Sequence, residues 1–176
     1  MEIAQAQRDV RTTFLGGFAG GLVSGAIWLA SAILATWSTP RNAILVLIVG
    51  GFFIFPLTQL ALRVSGRPAS LPKGHPMNAL AMQIAFTLPL SLPLVAAAAT
   101  YRLDWFYPAF MIALGTHYLP FIFLYGMWQF GALAALLIGG GVALGMFFPL
   151  PFSSGAWVTA LALVVFAFVG RSGARR

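Results

Sequence analysis

The residues of this chain that could do chemistry are few, and the densest group is Gly115-Thr116-His117-Tyr118-Leu119-Pro120-Phe121. An imidazole, an aliphatic hydroxyl and a phenol stand together there, beside a proline. Proline has no amide N–H, so Pro120 withdraws the helical donor of the Thr116 carbonyl, four residues back. The expectation is a free carbonyl beside neutral donors and acceptors, a set that can bind or pass a hydrogen-bonding species. A buried neutral histidine that only fixes packing would use the same residues.

Two other stretches repeat the pattern. One is Phe55-Pro56-Leu57-Thr58-Gln59. The other is Gln83 followed by Thr87-Leu88-Pro89-Leu90-Ser91-Leu92-Pro93. Pro89 frees the carbonyl of Ala85, and Pro93 that of Pro89. Backbone breaks of this kind persist in a membrane where protein, Ser/Thr or a water-lined cavity satisfies the freed groups. His117, Tyr118, Thr116, Gln83, Gln59, Thr87 and Ser91 are therefore the candidate ligand-binding residues, with Thr58 beside them, and they are expected to converge on one cavity between kinked helices.

Other chemistries lack their parts. The acidic residues are Glu2, Asp9 and Asp104, and there is no cysteine. All three acids fall outside the apolar runs, which removes the intramembrane carboxylate relays of pumps and antiporters. His75 and His117 are the only histidines. No catalytic residue, metal ligand set or cofactor site is assigned. An intramembrane enzyme or ligand sensor would have to rest on His117 and Tyr118 alone.

The elements that must position these groups follow from composition. Of 176 residues, 60% are hydrophobic and 7% charged, and the mean hydropathy is +0.92. A soluble domain carries about 25% charged residues, so lipid is the expected solvent. Six apolar runs are long enough to span a bilayer: 13–37, 43–62, 78–101, 106–126, 128–148 and 153–170. The expected fold is an all-α polytopic bundle of six transmembrane helices, forming one domain over residues 1–176, several helices being proline-kinked. The first run is too long and too glycine-rich for a cleaved signal peptide.

Six spans sort the cations. Arg8, Arg11, Arg63, Arg67, Lys73, Arg171, Arg175 and Arg176 fall on one side, with Arg41 and Arg102 on the other. The positive-inside rule makes the first side cytoplasmic, with tails at 1–12 and 171–176 and a loop at 63–77. The net charge of +7 then records orientation, and no nucleic-acid partner is needed to explain it. The basic side is also suited to anionic lipid headgroups. The Pro/Gly-rich loop from Ser65 to Pro76 reads as a solvated turn, or as a lid or anion-contacting loop using Lys73 and His75.

Glycines four apart, Gly16/Gly20, Gly17/Gly21, Gly21/Gly25 and Gly141/Gly145, let helix backbones approach closely. They serve packing within the chain or a seam between copies. The echo of Leu47-Ile48-Val49-Gly50-Gly51 in Leu137-Ile138-Gly139-Gly140-Gly141 is read as coincidence.

The segments His75-Pro76-Met77-Asn78, Pro89 to Pro93, Tyr107-Pro108-Ala109-Phe110, and Gly115 to Phe121 followed by Leu124-Tyr125-Gly126 resemble a family of small bacterial membrane proteins of unknown function, DUF7010-like. The resemblance implies a bacterial inner-membrane setting and no substrate. Two roles fit the residues. One is transport or permeation of a small neutral solute. The other is a non-catalytic structural or accessory subunit in a homo-oligomer or a larger membrane complex.

Overall fold

The computed structural model describes residues 2–174; Arg175 and Arg176, expected on the basic side, lie outside them. The chain forms helices α1 (Ile3–Thr13), α2 (Phe18–Trp37), α3 (Pro40–Val64), α4 (Met77–Tyr101), α5 (Phe106–Tyr118), α6 (Phe121–Tyr125), α7 (Gln129–Met146) and α8 (Ser154–Gly173). Six candidate spans, Leu15–Trp37, Pro40–Val64, Met77–Tyr101, Leu103–Tyr125, Gln129–Met146 and Ser154–Gly173, are long and apolar enough to cross a membrane. Each overlaps one of the six apolar runs read from the sequence.

Local chemistry accounts for several boundaries. Thr39 caps α3 by accepting from Asn42 N, with Pro40 at the first helical position. Gly126 ends α6 in the left-handed region at φ 62°. The fourth span divides at Leu119–Pro120, where Pro120 stops α5 and begins α6. The other expected interruptions are not breaks: α3 runs continuously through Pro56, and α4 through Pro89 and Pro93.

Residues 3–13, expected as a tail, form α1, which lies against α6 and α4. Ala6 and Val10 are its buried face. The chain turns from α1 into α2 through Leu15, Gly16 and Gly17, all at positive φ (53°, 64° and 85°).

The bundle is two sets of three. In one, α2 lies between α3 and α8. In the other, α5 lies between α4 and α7, and contacts of α8 with α7 and α5 join the sets. Glycines bring α2 onto α8: a Cβ at Gly16 would overlap the Gly170 carbonyl, and one at Gly25 would lie 2.7 Å from Val164 Cγ2. They do the same for α5 and α7, where a Cβ at Gly141 would lie 2.6 Å from Pro108 O. The glycine stripes are thus largely consumed within the chain, where close approach provides the van der Waals contact that holds helices together in lipid. The outer helices pack on one side only; α3 leaves Phe52, Phe53 and Phe55 exposed, and α4 leaves Phe86, Leu90 and Leu94 exposed.

Candidate functional site

The fold brings two of the sequence candidates into direct contact. Thr87 Oγ1 on α4 lies 2.7 Å from His117 Nδ1 on α5. Thr87 Oγ1 is also 2.8 Å from the Ile84 carbonyl. The hydroxyl has one proton. When it goes to Ile84 O, the imidazole donates from Nδ1 and offers a lone pair at Nε2. When it goes to Nδ1, the imidazole carries its proton on Nε2. The hydroxyl rotor and the histidine tautomer are therefore coupled, and the pair can present a donor or an acceptor while staying neutral.

Ser91 extends the site along α4 by donating to the Thr87 carbonyl at 2.7 Å. This bond does not replace what Pro89 and Pro93 take from the helix, because the carbonyls freed by those prolines belong to Ala85 and Pro89. The imidazole is framed by aromatic rings, with centroids 5.7 Å from Tyr118 and 5.1 Å from Phe121.

The remaining candidates make no hydrogen bond with the pair. Tyr118 is buried among aromatic rings, stacked on Phe130 at 6.1 Å and beside Phe166. Thr116 is exposed and spends its hydroxyl on Ile112 O in its own helix. The Thr116 carbonyl is not free, contrary to the expectation from Pro120: Leu119 N donates to it at 3.2 Å. The chain tightens into a 3₁₀-type turn there, a usual way to satisfy the last carbonyls of a helix. Thr58 and Gln59 sit on α3, which packs on α2, while the pair sits where α4 packs on α5. Thr58 Oγ1 is buried without a hydrogen-bond partner, beside Gly20 of α2. Gln83 is exposed on α4. The site is thus a seam between α4 and α5, centred on Thr87 and His117, and half-open to the surroundings of the bundle.

The polar contacts that hold one end of this seam were not evident in the sequence. Gln7 Nε2 of α1 donates to Phe123 O at 2.6 Å, and Arg11 Nη1 to Tyr125 O at 2.8 Å. These bonds satisfy the terminal carbonyls of α6, and a cation at a helix C-terminus is favoured by the helix dipole. Asp9 Oδ2 lies 3.5 Å from His75 Nε2, and His75 Nδ1 accepts from Met77 N. His75 is buried at 7% exposure, so the loop before α4 packs against α1 there, with Nε2 facing Asp9 but making no hydrogen bond. Lys73 of the same loop is exposed. The available signal was the spacing of Ile3, Ala6 and Val10, which gives residues 3–13 an apolar helical face.

Two cavities open toward the ends of the bundle. One, of about 390 Å³, is lined by Arg102, Asp104, Trp105 and the segment Leu144–Phe152. The other, of about 520 Å³, is lined by Arg11, Arg67 and Arg171. Three cations assigned to one side from the sequence therefore share one cavity, and Arg102, assigned to the other side, lines a different one.

A family model described as a family of unknown function, DUF7010, matches residues 3–171. No curated protein and no solved structure matches the chain.

Proposed function

The chain belongs to this family of unknown function, DUF7010, and we propose that it passes a small neutral solute across the membrane along the seam between α4 and α5. The observation that carries this reading is the 2.7 Å contact of Thr87 with His117. It is a neutral, two-way hydrogen-bonding pair between two candidate spans, with Pro89 two residues from Thr87 and Pro120 three residues from His117. A polar or ionisable group within such a segment is costly and is a functional-site hypothesis by default. The spans contain none of the three carboxylates, apart from Asp104 in the turn that opens the fourth, which favours a neutral solute over a coupled ion. The Thr87–His117 contact holds the seam in the observed state, and solute competes for the same donors and acceptors as the helices part.

The test is flux into proteoliposomes, followed by light scattering with water, urea and glycerol as probes. One probe should enter faster than in protein-free vesicles. His117→Ala and Thr87→Val should each abolish that excess. If no probe exceeds the protein-free rate, or the two variants leave the excess intact, the reading fails.

A second reading, an accessory subunit of a homo-oligomer or larger membrane complex, is supported by the one-sided packing of α3 and α4. A partner of fixed stoichiometry retained through purification in mild detergent would favour it. A monodisperse monomer would count against it.

A further inference from the structure

We propose that the basic end of the bundle holds a binding site for one anionic phospholipid, between α1, α2, α3 and α8. This site is separate from the α4–α5 seam and does not depend on the permeation reading. The cavity of about 520 Å³ brings together three guanidinium groups from three distant parts of the chain: Arg11 at the end of α1, Arg67 after α3, and Arg171 near the end of α8. Thr12 and Ser65 also line it, their hydroxyls donating to backbone carbonyls of Arg8 and Ala61, and among the described residues no Asp or Glu lines the cavity. Three converging cations without a carboxylate form a site for a phosphate group, which guanidinium binds through two parallel N–H donors.

The cations are available for this. Arg171 is steadied by its packing over the Phe18 ring, at 4.6 Å to the centroid, a contact that leaves its N–H donors unspent. Arg11 uses Nη1 on the α6 carbonyls, and its remaining donors have no partner among the described residues. The left-handed run Leu15-Gly16-Gly17 turns the chain between α1 and α2, and Arg11, two residues before the end of α1, lines the cavity.

Below the cations the lining turns apolar. Phe18, Leu22 and Val23 of α2 and Ala61 and Leu62 of α3 continue it. From Phe18 to Val23 the wall descends about 7 Å into the span, at 1.5 Å per residue. A soluble anion has no use for such a wall. A phosphodiester headgroup with acyl chains beneath it matches both halves of the lining. Basic pockets between helices on the cytoplasmic side recognise such headgroups, and the cation asymmetry places this end there.

Binding is read by native mass spectrometry of the full chain in mild detergent. The probes are phosphatidylglycerol and phosphatidylcholine with identical acyl chains, each with and without inorganic phosphate. The expected result is one phosphatidylglycerol retained in preference to phosphatidylcholine, undisturbed by millimolar phosphate. Arg67→Gln with Arg171→Gln should weaken retention by about 25-fold, about five-fold for each charge. The paired variant Arg63→Gln with Lys73→Gln, which removes two cations of the same end that do not line the cavity, should stay within about two-fold of the parent. The paired lysine variant at positions 67 and 171 keeps the charge, and should retain most of the binding if the glutamine pair fails to fold. Equal retention of the two lipids overturns the site. So does parental retention by the glutamine pair when it is folded, or equal loss in the off-cavity pair. Displacement by inorganic phosphate overturns the lipid assignment in favour of a free phosphate.

Discussion

Tyr107 donates its phenolic proton to Ser31 Oγ at 2.7 Å. The direction follows from counting, because Ser31 has one proton and gives it to the Ala43 carbonyl at 2.9 Å. The result is a buried relay from α5 through α2 to α3, with Tyr107 and Ser31 both fully shielded. Tyr107→Phe should cost about 0.6 kcal/mol, the average for interhelical hydrogen bonds in membranes, and at most about 1.7 kcal/mol. Combining it with Ser31→Ala should cost less than the sum of the single changes, since both act on one bond. Unfolding of the single and double variants in mixed micelles measures this coupling.

Two glycines of α7 should respond oppositely to the same change. At Gly141 an added methyl meets Pro108 O at 2.6 Å, while at Gly139 nothing lies within 4 Å. Gly141→Ala should push α5 from α7 and destabilise by about 1–3 kcal/mol. Gly139→Ala should be neutral or stabilise by up to about 1 kcal/mol, from the lower backbone freedom of alanine. Thermal midpoints in detergent decide. A loss at Gly139 would show that this position packs against another copy.

Helix α1 should be a separately removable element. Its polar attachments are Gln7 to Phe123, Arg11 to Tyr125 and Asp9 to His75. Asp9→Asn weakens the last, and Arg11→Gln removes a cation that stabilises the α6 terminus by about 0.3–1 kcal/mol. In the combined variant, amide exchange across residues 3–13 should accelerate while α2, α5, α7 and α8 keep their protection. Unchanged exchange in α1 would mean that Ala6 and Val10 alone hold it.

The candidate site residues should divide by location. Thr87→Val removes the partner of His117. Thr116→Val removes only a bond within α5, to Ile112. In the flux measurement Thr87→Val should abolish transport, and Thr116→Val and Gln59→Leu should leave it within about two-fold, because neither side chain reaches the pair. Equal sensitivity at Gln59 would require α3 to join the pathway.

Orientation can be read directly because the chain has no cysteine of its own. Single cysteines in place of Arg41 or Arg102 should react with an impermeant thiol reagent added outside intact cells. Those in place of Arg63 or Lys73 should react only after lysis. The reverse pattern would invert the topology.

Much of the architecture was legible because lipid imposes a simple rule. A spanning segment must satisfy its own backbone, so apolar length alone marks the helices. The six runs required no knowledge of neighbours, and Pro120 marked the place where the fourth span divides into α5 and α6. Pro56, Pro89 and Pro93 were poorer guides, because a helix in a membrane can continue past a proline when local groups compensate. Helix α1 was missed because four apolar residues in eleven, Ile3, Ala4, Ala6 and Val10, make a weak signal beside long apolar runs.

Residue types and spacing by themselves determined the all-helical fold, the six long apolar segments and the absence of carboxylates from the apolar runs. Those are properties of single segments and of their order. The tertiary structure alone decided which polar groups meet. Thr87 and His117 are 30 residues apart in sequence and 2.7 Å apart in space, whereas Gln59 sits on a helix packed elsewhere. It also decided that Arg11, Arg67 and Arg171 share one cavity and that Asp9 lies beside His75. The physical reason is that helix partners are chosen by the fit of small residues, as between Gly16 and Gly170, and that fit depends on two surfaces at once.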